Sequence, residues 1–355
     1  MGQRHKKPTQ LPRRVLGMLC EAARFAGEGP GGLLLTWGLL TALALPAILG
    51  ISAAVFRAYY YRPRYEQWRT KSNPCYPEPA KVRSEVLLTL QCGALSVLPA
   101  ALALHLAHQG RSKAYCGLGA RGWGYELGAA AAVLLLSDFF EWAYHFLGHS
   151  LPSLWKRHRH HHAFSNPSPF AVIADDHLDQ VVRALPLLAF PLLAPVNMDV
   201  LFGIYALFFY AYGAYLHWGH ELEWPDAHHP VLNTAYQHYF HHSRASAGRP
   251  YHTGFFVKLW DELAGSDQTA VEYAAGKCRC AKCCCARGER SLERWQEVDK
   301  PDYSVLLSPA FWVHGREAPG AEAAAAERGD TTGAATPSPR RRSARLAAAA
   351  KERAR

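Results

Sequence analysis

The chain has 355 residues, 49% of them hydrophobic, a formal net charge of +10, 19 histidines and nine cysteines. That length could hold two soluble domains, but long uncharged apolar runs argue for a membrane protein instead. The cysteines do not form a disulfide-framework pattern, and the excess positive charge lies largely in the termini.

Residues 1–30 form a basic segment carrying Arg4, Lys6, Lys7, Arg13, Arg14 and Arg24. It does not read as a cleavable secretory signal, because no small-residue cleavage site closes the apolar run that follows. Met1-Gly2 lacks the Ser or Thr at position six of a myristoylation signal, so no such anchor is expected. Gly32 to Ala53 is free of charge and long enough to cross a bilayer core of ~30 Å at 1.5 Å per residue. Val86 to His105 and Gly124 to Tyr144 read as further spans, the latter with Glu126, Asp138 and Glu141 inside it. Acids within a span are costly. Either Asp138 and Glu141 face a polar site and support the histidines that follow, or the helix leaves the membrane near Asp138 and both are solvated. Ala184 to Leu216 is too long for one span, and Pro186, Pro191, Pro195 and Asp199 predict a hairpin turning near Pro195 to Asp199. The basic runs at the N-terminus and from Arg57 to Arg83 pull in opposite directions, so the positive-inside tendency does not settle orientation.

Fifteen of the 19 histidines fall between His145 and His252. Three groups stand out: His145 with His149, His158 with His161 and His162, and His238 with His241 and His242. Residues three and four apart share a helical face, so each group can present two or three imidazoles in one direction. A lone His-His pair in a loop would mean little, but three such groups point to a transition-metal site. A single catalytic zinc needs only three protein ligands, whereas eight clustered nitrogens can hold two metals. Groups that converge must reach one membrane face, which requires an even number of crossings between the second and third. Nitrogen ligation beside apolar walls suits oxidation of a lipid C–H bond, a task for an oxidising metal centre. Metal transport is the competing reading, and it would need ionisable residues deep in the spans.

Further along, Cys278, Cys280, Cys283, Cys284 and Cys285 crowd into one stretch. A zinc knuckle would want a second cysteine pair, and none lies at the right distance. Reversible palmitoylation beside a membrane and a plain linker with reduced thiols both fit. From Glu317 onward the chain is poor in apolar bulk and reads as a disordered basic tail, with anionic-lipid contact or no function at all favoured over nucleic-acid binding.

The segments DFFEWAYHFLGHSLPSLWKRHRHHH, HWGHE and HYFHH, with RPYHTGFFVKLWDELAGS closing on Trp260-Asp261 and Gly265, resemble the fatty acid hydroxylase and sterol desaturase superfamily. The resemblance runs from about Gly124 to Asp267. It implies an all-α integral membrane bundle with a cytosolic histidine-rich di-metal helical cap. It divides the chain into a basic segment (1–30), a transmembrane region (31–123), a catalytic domain (124–268), a Cys-rich extension (269–315) and a tail (316–355). The implied metal ligands are His145, His149, His158, His161, His162, His177, His217, His238, His241 and His242. His160, His220, His228, His229 and His252 fall outside the family pattern and are read as solvent or supporting contacts. Where the family often has His-Pro-x-Glu, this chain has His177-Leu-Asp179, so any role of the acid passes to Asp179. The implied cofactors are two non-haem irons and O2, with electrons from NAD(P)H through a separate partner, cytochrome b5 and its reductase. No cytochrome b5 or nucleotide-binding motif of its own appears. The run NPSPFAVIADDHLDQ is similar to sterol desaturases of the Δ7-sterol 5-desaturase type. Fatty acyl or sphingolipid hydroxylases and sterol hydroxylases share the boxes, and the superfamily implies the endoplasmic reticulum membrane with the active site facing the cytosol.

Overall fold

The computed structural model describes residues 27 and 29–315. The basic segment up to Ala26 and the tail from Glu317, with the anchor and lipid-contact readings attached to them, lie outside the described residues. Residues up to Tyr303 form one compact unit, and Ser304 begins a second whose described part holds the helix Pro309–His314. Among the described residues the chain is helical, with isolated bridges and no strand.

Four helices are long and apolar enough to cross a membrane. The first, α1, runs Gly29–Tyr59 and turns Leu34, Leu39, Leu43 and Ile51 outward, the arrangement of a lipid-facing surface. The short helix α2 (Tyr65–Arg69) follows. The second candidate span is broken into α3 (Pro79–Ser96) and α4 (Leu98–His108), where Pro99 in the first turn of α4 removes an amide donor from the ladder. Gly93 lets α1 approach α3, since a Cβ there would collide with the Leu45 side chain. Trp37 Nε1 donates to Ala94 O at 2.6 Å across the same contact.

α5 (Trp123–Ser150) has 28 residues and is about 42 Å long, more than a hydrocarbon core of ~30 Å needs. Its surplus turns carry His145 and His149. α6 (Pro152–His158) turns back immediately after it. The expected hairpin is present: α7 (His177–Leu193) and α8 (Met198–Ile204) are joined by a turn over residues 194–197. Asn197 caps α8 by accepting from Asp199 and Val200 amides, and Tyr115 clasps the turn through Val196 O and Met198 N. After α8 the helix widens into a π-helical stretch, Tyr205–Ala211, and resumes as α9 (Tyr212–His217). The hairpin thus starts at His177 and ends at His217, returning the chain to the histidine end. α10 (Ala235–Arg244) opens with a Thr234/Gln237 capping box and carries the third histidine group. The apolar core joins α4, α5, α7 and α8 through Ala103, Val133, Leu187, Met198 and Leu201.

Candidate metal centre

Nine histidines gather into two abutting pockets. His145, His149, His158, His162 and His241 form one, and His161, His217, His238 and His242 the other, with the ligand atoms of each within 4.8 Å of one another. Neighbours in sequence part company: His161 and His162 enter different pockets, as do His241 and His242. His241 and His242 are consecutive on α10 and diverge by ~100°, while His161 and His162 lie on the 3-10 segment after α6, so each triple straddles the two sites instead of serving one. The pairs four apart (His145/His149, His158/His162, His238/His242) stay together. The pockets meet where the His162 and His242 rings lie 5.2 Å apart.

Each imidazole must choose which nitrogen holds the proton, and the surroundings decide for six of them. Nδ1 of His145 faces Thr253 O at 3.0 Å, His149 faces Ser246 O at 3.2 Å and His161 faces Ala174 O at 3.1 Å. His217 faces Gly213 O at 2.7 Å, His241 faces Tyr251 O at 2.6 Å and His158 faces Asp179 Oδ2 at 3.0 Å. A proton on each of these Nδ1 atoms leaves a bare lone pair on Nε2. The Nε2 atoms of His145, His149 and His241 are buried without a hydrogen-bond partner. In the second pocket Nε2 of His217 lies 3.3 Å from that of His161 and 2.9 Å from that of His238. Between His161 and His217, whose protons both sit on Nδ1, two lone pairs face each other with no donor, and a cation resolves the conflict. The donor set therefore fits a pair of transition-metal ions.

Burial also keeps these rings neutral and ready to ligate. His161, His162, His238, His241 and His242 are held well below the ordinary imidazole value of 6.5, first by desolvation and then by neighbouring imidazoles. Asp179 takes over the acid's place: burial works against its charge, but the hydrogen bond from His158 and the charge of Arg183 hold it below the usual carboxylate range. Its neighbour Asp175 is pushed well above that range, first by burial and then by Asp179. Arg183 pairs onward with Glu141 at 2.9 Å.

Asp138 and Glu141 are both buried, which overturns the reading that leaves them solvated. Asp138 accepts from the amides of Phe256 and Val257 and from Trp260 Nε1. Trp260 and Asp261 belong to the element α11 (Leu259–Ala264). Asp261 accepts from the amides of Thr253 and Gly254 and from the Ser266 hydroxyl. A Cβ on Gly254 would sit 2.6 Å from both Asn233 Nδ2 and Asp261 Oδ2, so only glycine closes that loop. The clasp fixes Thr253 O, which in turn orients His145. The Trp-Asp…Gly element therefore supports a ligand through its backbone, a role that no spacing in the sequence discloses.

The tenth expected ligand is not brought in. His177 begins α7 with its ring exposed, and its Nδ1 lies 3.1 Å from Cys92 Sγ, outside both pockets. His160 is exposed, His220 Nδ1 faces Gln67 O, and His252 Nε2 accepts from the Thr269 amide.

An apolar cavity of about 220 Å³ lies among α1, α4, α7, α8, the π-helical stretch and α9. Leu40, Ile51, Leu187, Phe202 and Ala214 form its walls. It shares Tyr205 and Tyr210 with a smaller pocket that reaches Glu141 and Arg183, next to the carboxylates behind His158.

A membrane-type helical bundle with two histidine pockets defines a membrane protein of the histidine-box class. Residues 130–266 match the fatty acid hydroxylase family. Lathosterol oxidase of Homo sapiens is 31% identical over 191 residues, covering 52% of this chain and 61% of that protein. The Rattus norvegicus lathosterol oxidase is 27% identical over 190 residues, with the same shares. The Delta(7)-sterol 5(6)-desaturase of Eremothecium gossypii is 32% identical over 160 residues, 44% of this chain and 43% of its own. The chain thus spans about three fifths of the length of the lathosterol oxidases it matches. No solved structure matches.

Proposed function

We propose that this protein is a membrane-bound, O2-dependent di-iron lipid oxidase, of the Δ7-sterol 5-desaturase type, with 124–268 as its catalytic domain. The observation that carries the reading is the convergence of nine histidines, eight of them buried, on two adjoining points. The matches to lathosterol oxidases and Delta(7)-sterol 5(6)-desaturases supply the substrate class. Two irons with O2 would supply the oxidising power that an unactivated C–H bond requires. In a desaturation the lipid gives up two hydrogens and NAD(P)H two electrons, and O2 leaves as two waters. The electrons would come through a separate protein, cytochrome b5 with its reductase, and the site would face the cytosol from the endoplasmic reticulum membrane.

The chain's own residues prepare that chemistry. His145, His149, His158, His162 and His241 would hold one ion and His161, His217, His238 and His242 the other, oriented by the carbonyls and the carboxylate behind them. The walls of the apolar cavity would take the lipid body, exclude water and present one carbon to the centre. Tyr205, whose hydroxyl donates to Ser137 Oγ at 2.9 Å, fixes the junction between cavity and polar end.

Expression in cells lacking sterol C-5 desaturase, followed by sterol profiling, tests the assignment. A restored diene sterol, lost again with His158→Ala or His241→Ala while the protein stays in the membrane, is the expected result. An unchanged sterol profile with the protein present would reject it, and new hydroxylated acyl chains would move the assignment to the hydroxylases.

A further inference from the structure

Cys278, Cys280 and Cys283 come together with His228, their sulfur and nitrogen atoms all within 4.8 Å of one another. His228 Nε2 lies 3.4 Å from both Cys280 Sγ and Cys283 Sγ. Tetrahedral zinc, with Zn–S near 2.3 Å and Zn–N near 2.0 Å, sets its nitrogen and sulfur ligands about 3.5 Å apart. We propose that these four residues form a closed structural zinc site of the Cys3His type, separate from the histidine pockets.

The surroundings favour thiolates. Cys278 Sγ accepts the amide of Cys280, and Cys280 Sγ caps the helix α13 (Ala281–Ala286) by accepting the amide of Cys283. Amide donors of this kind stabilise thiolate, the form that binds metal. Around the cluster, Glu221 accepts the Ala281 amide, Lys282 pairs with Asp226 at 2.7 Å, and the His228 ring lies 3.9 Å from that of Tyr273. Cys278 and Cys280 are fully buried, so an acyl transferase could not reach them, which argues against palmitoylation there. The second cysteine pair expected of a zinc knuckle is not needed, because a histidine far upstream supplies the fourth ligand.

Zinc suits the position because it is redox-inert beside an oxidising centre. The Tyr236 hydroxyl, on α10 with the third histidine group, accepts the Arg279 amide at 3.1 Å. A bound ion would therefore brace α10 against the Cys-rich extension and steady His238, His241 and His242.

The test uses the full-length protein in detergent, purified without chelators. Titration with a mercurial that captures thiolates, in the presence of a chromogenic zinc indicator, is expected to release about one zinc per chain. Cys280→Ser should lose that zinc and Cys285→Ser should keep it. His161→Ala should also keep it, which separates this site from any zinc held by imidazoles. Protein produced in cobalt should show a thiolate-to-cobalt charge-transfer band, a readout on the unmutated chain that stands even if Cys280→Ser does not accumulate. Thiols that titrate with no zinc released, a missing cobalt band, or a disulfide among Cys278, Cys280 and Cys283 in fresh protein would overturn the proposal.

Discussion

A histidine serves as a ligand when its other nitrogen is held, and this centre shows where that hold comes from. Five of the six fixed Nδ1 atoms face backbone carbonyls, which no side-chain substitution removes; the sixth faces Asp179. Asp179→Asn keeps an acceptor but removes the charge that stabilises His158 as it ligates. Metal affinity of the five-histidine pocket is expected to fall about 10–100-fold. Elemental analysis of the purified variant should find iron reduced while the four-histidine pocket stays loaded. His177→Ala, altering an exposed ring, should leave the metal content unchanged; a loss equal to that of His158→Ala would return His177 to the ligand set. Eight of the nine pocket histidines were legible in the sequence because their spacing repeats in three boxes, and His217 through the family resemblance. Their division into two pockets was not, since it depends on the turn between α6 and His161, where the helix gives way to a 3-10 segment.

Among the elements, the helices that carry ligands are held by polar clasps at their ends. The α7–α8 hairpin was legible because Pro186, Pro191, Pro195 and Asp199 interrupt the apolar run. The π-helical stretch was not, because its apolar residues Tyr205–Ala211 look like any span. Nor did Asp138 announce its partners, which lie more than a hundred residues later and are reached only by folding. Asp138→Ala would leave two amides and an indole N–H buried and unpaired. At ~1–3 kcal/mol for each unsatisfied donor, the cost should be several kcal/mol. A thermal melt in detergent should show a large drop, and His145 should lose its tether through Thr253. Thr234→Ala, which breaks one capping box, should cost only about 1 kcal/mol and leave metal content intact. A larger effect from Thr234→Ala than from Asp138→Ala would show that the clasp is not what secures the ligand loop.

At the scale of the whole molecule, sites are made from parts of the chain that sequence distance keeps apart. The histidine boxes could be read because the family resemblance had already joined them; His228 could not be joined to Cys278, since nothing local connects them. The same gathering gives the protein an acid limit. In the unfolded chain each imidazole takes up a proton as pH falls through 6.5, whereas burial holds His161, His162, His238, His241 and His242 well below that value in the fold. Between those limits the unfolded state binds more protons, so stability rises with pH there and is lost on acidification, by up to ~1.4 kcal/mol per pH unit for each imidazole. The full contribution is present above 6.5. Metal competes with protons for the same Nε2 lone pairs and adds stability only to the folded chain. Chelator-treated protein should therefore lose thermal stability steeply as pH falls below the ordinary imidazole value, while metal-loaded protein holds its melting temperature to a lower pH. Melting curves taken across this range with and without iron decide the matter. If they superimpose at every pH, the imidazoles are not where the metal binds.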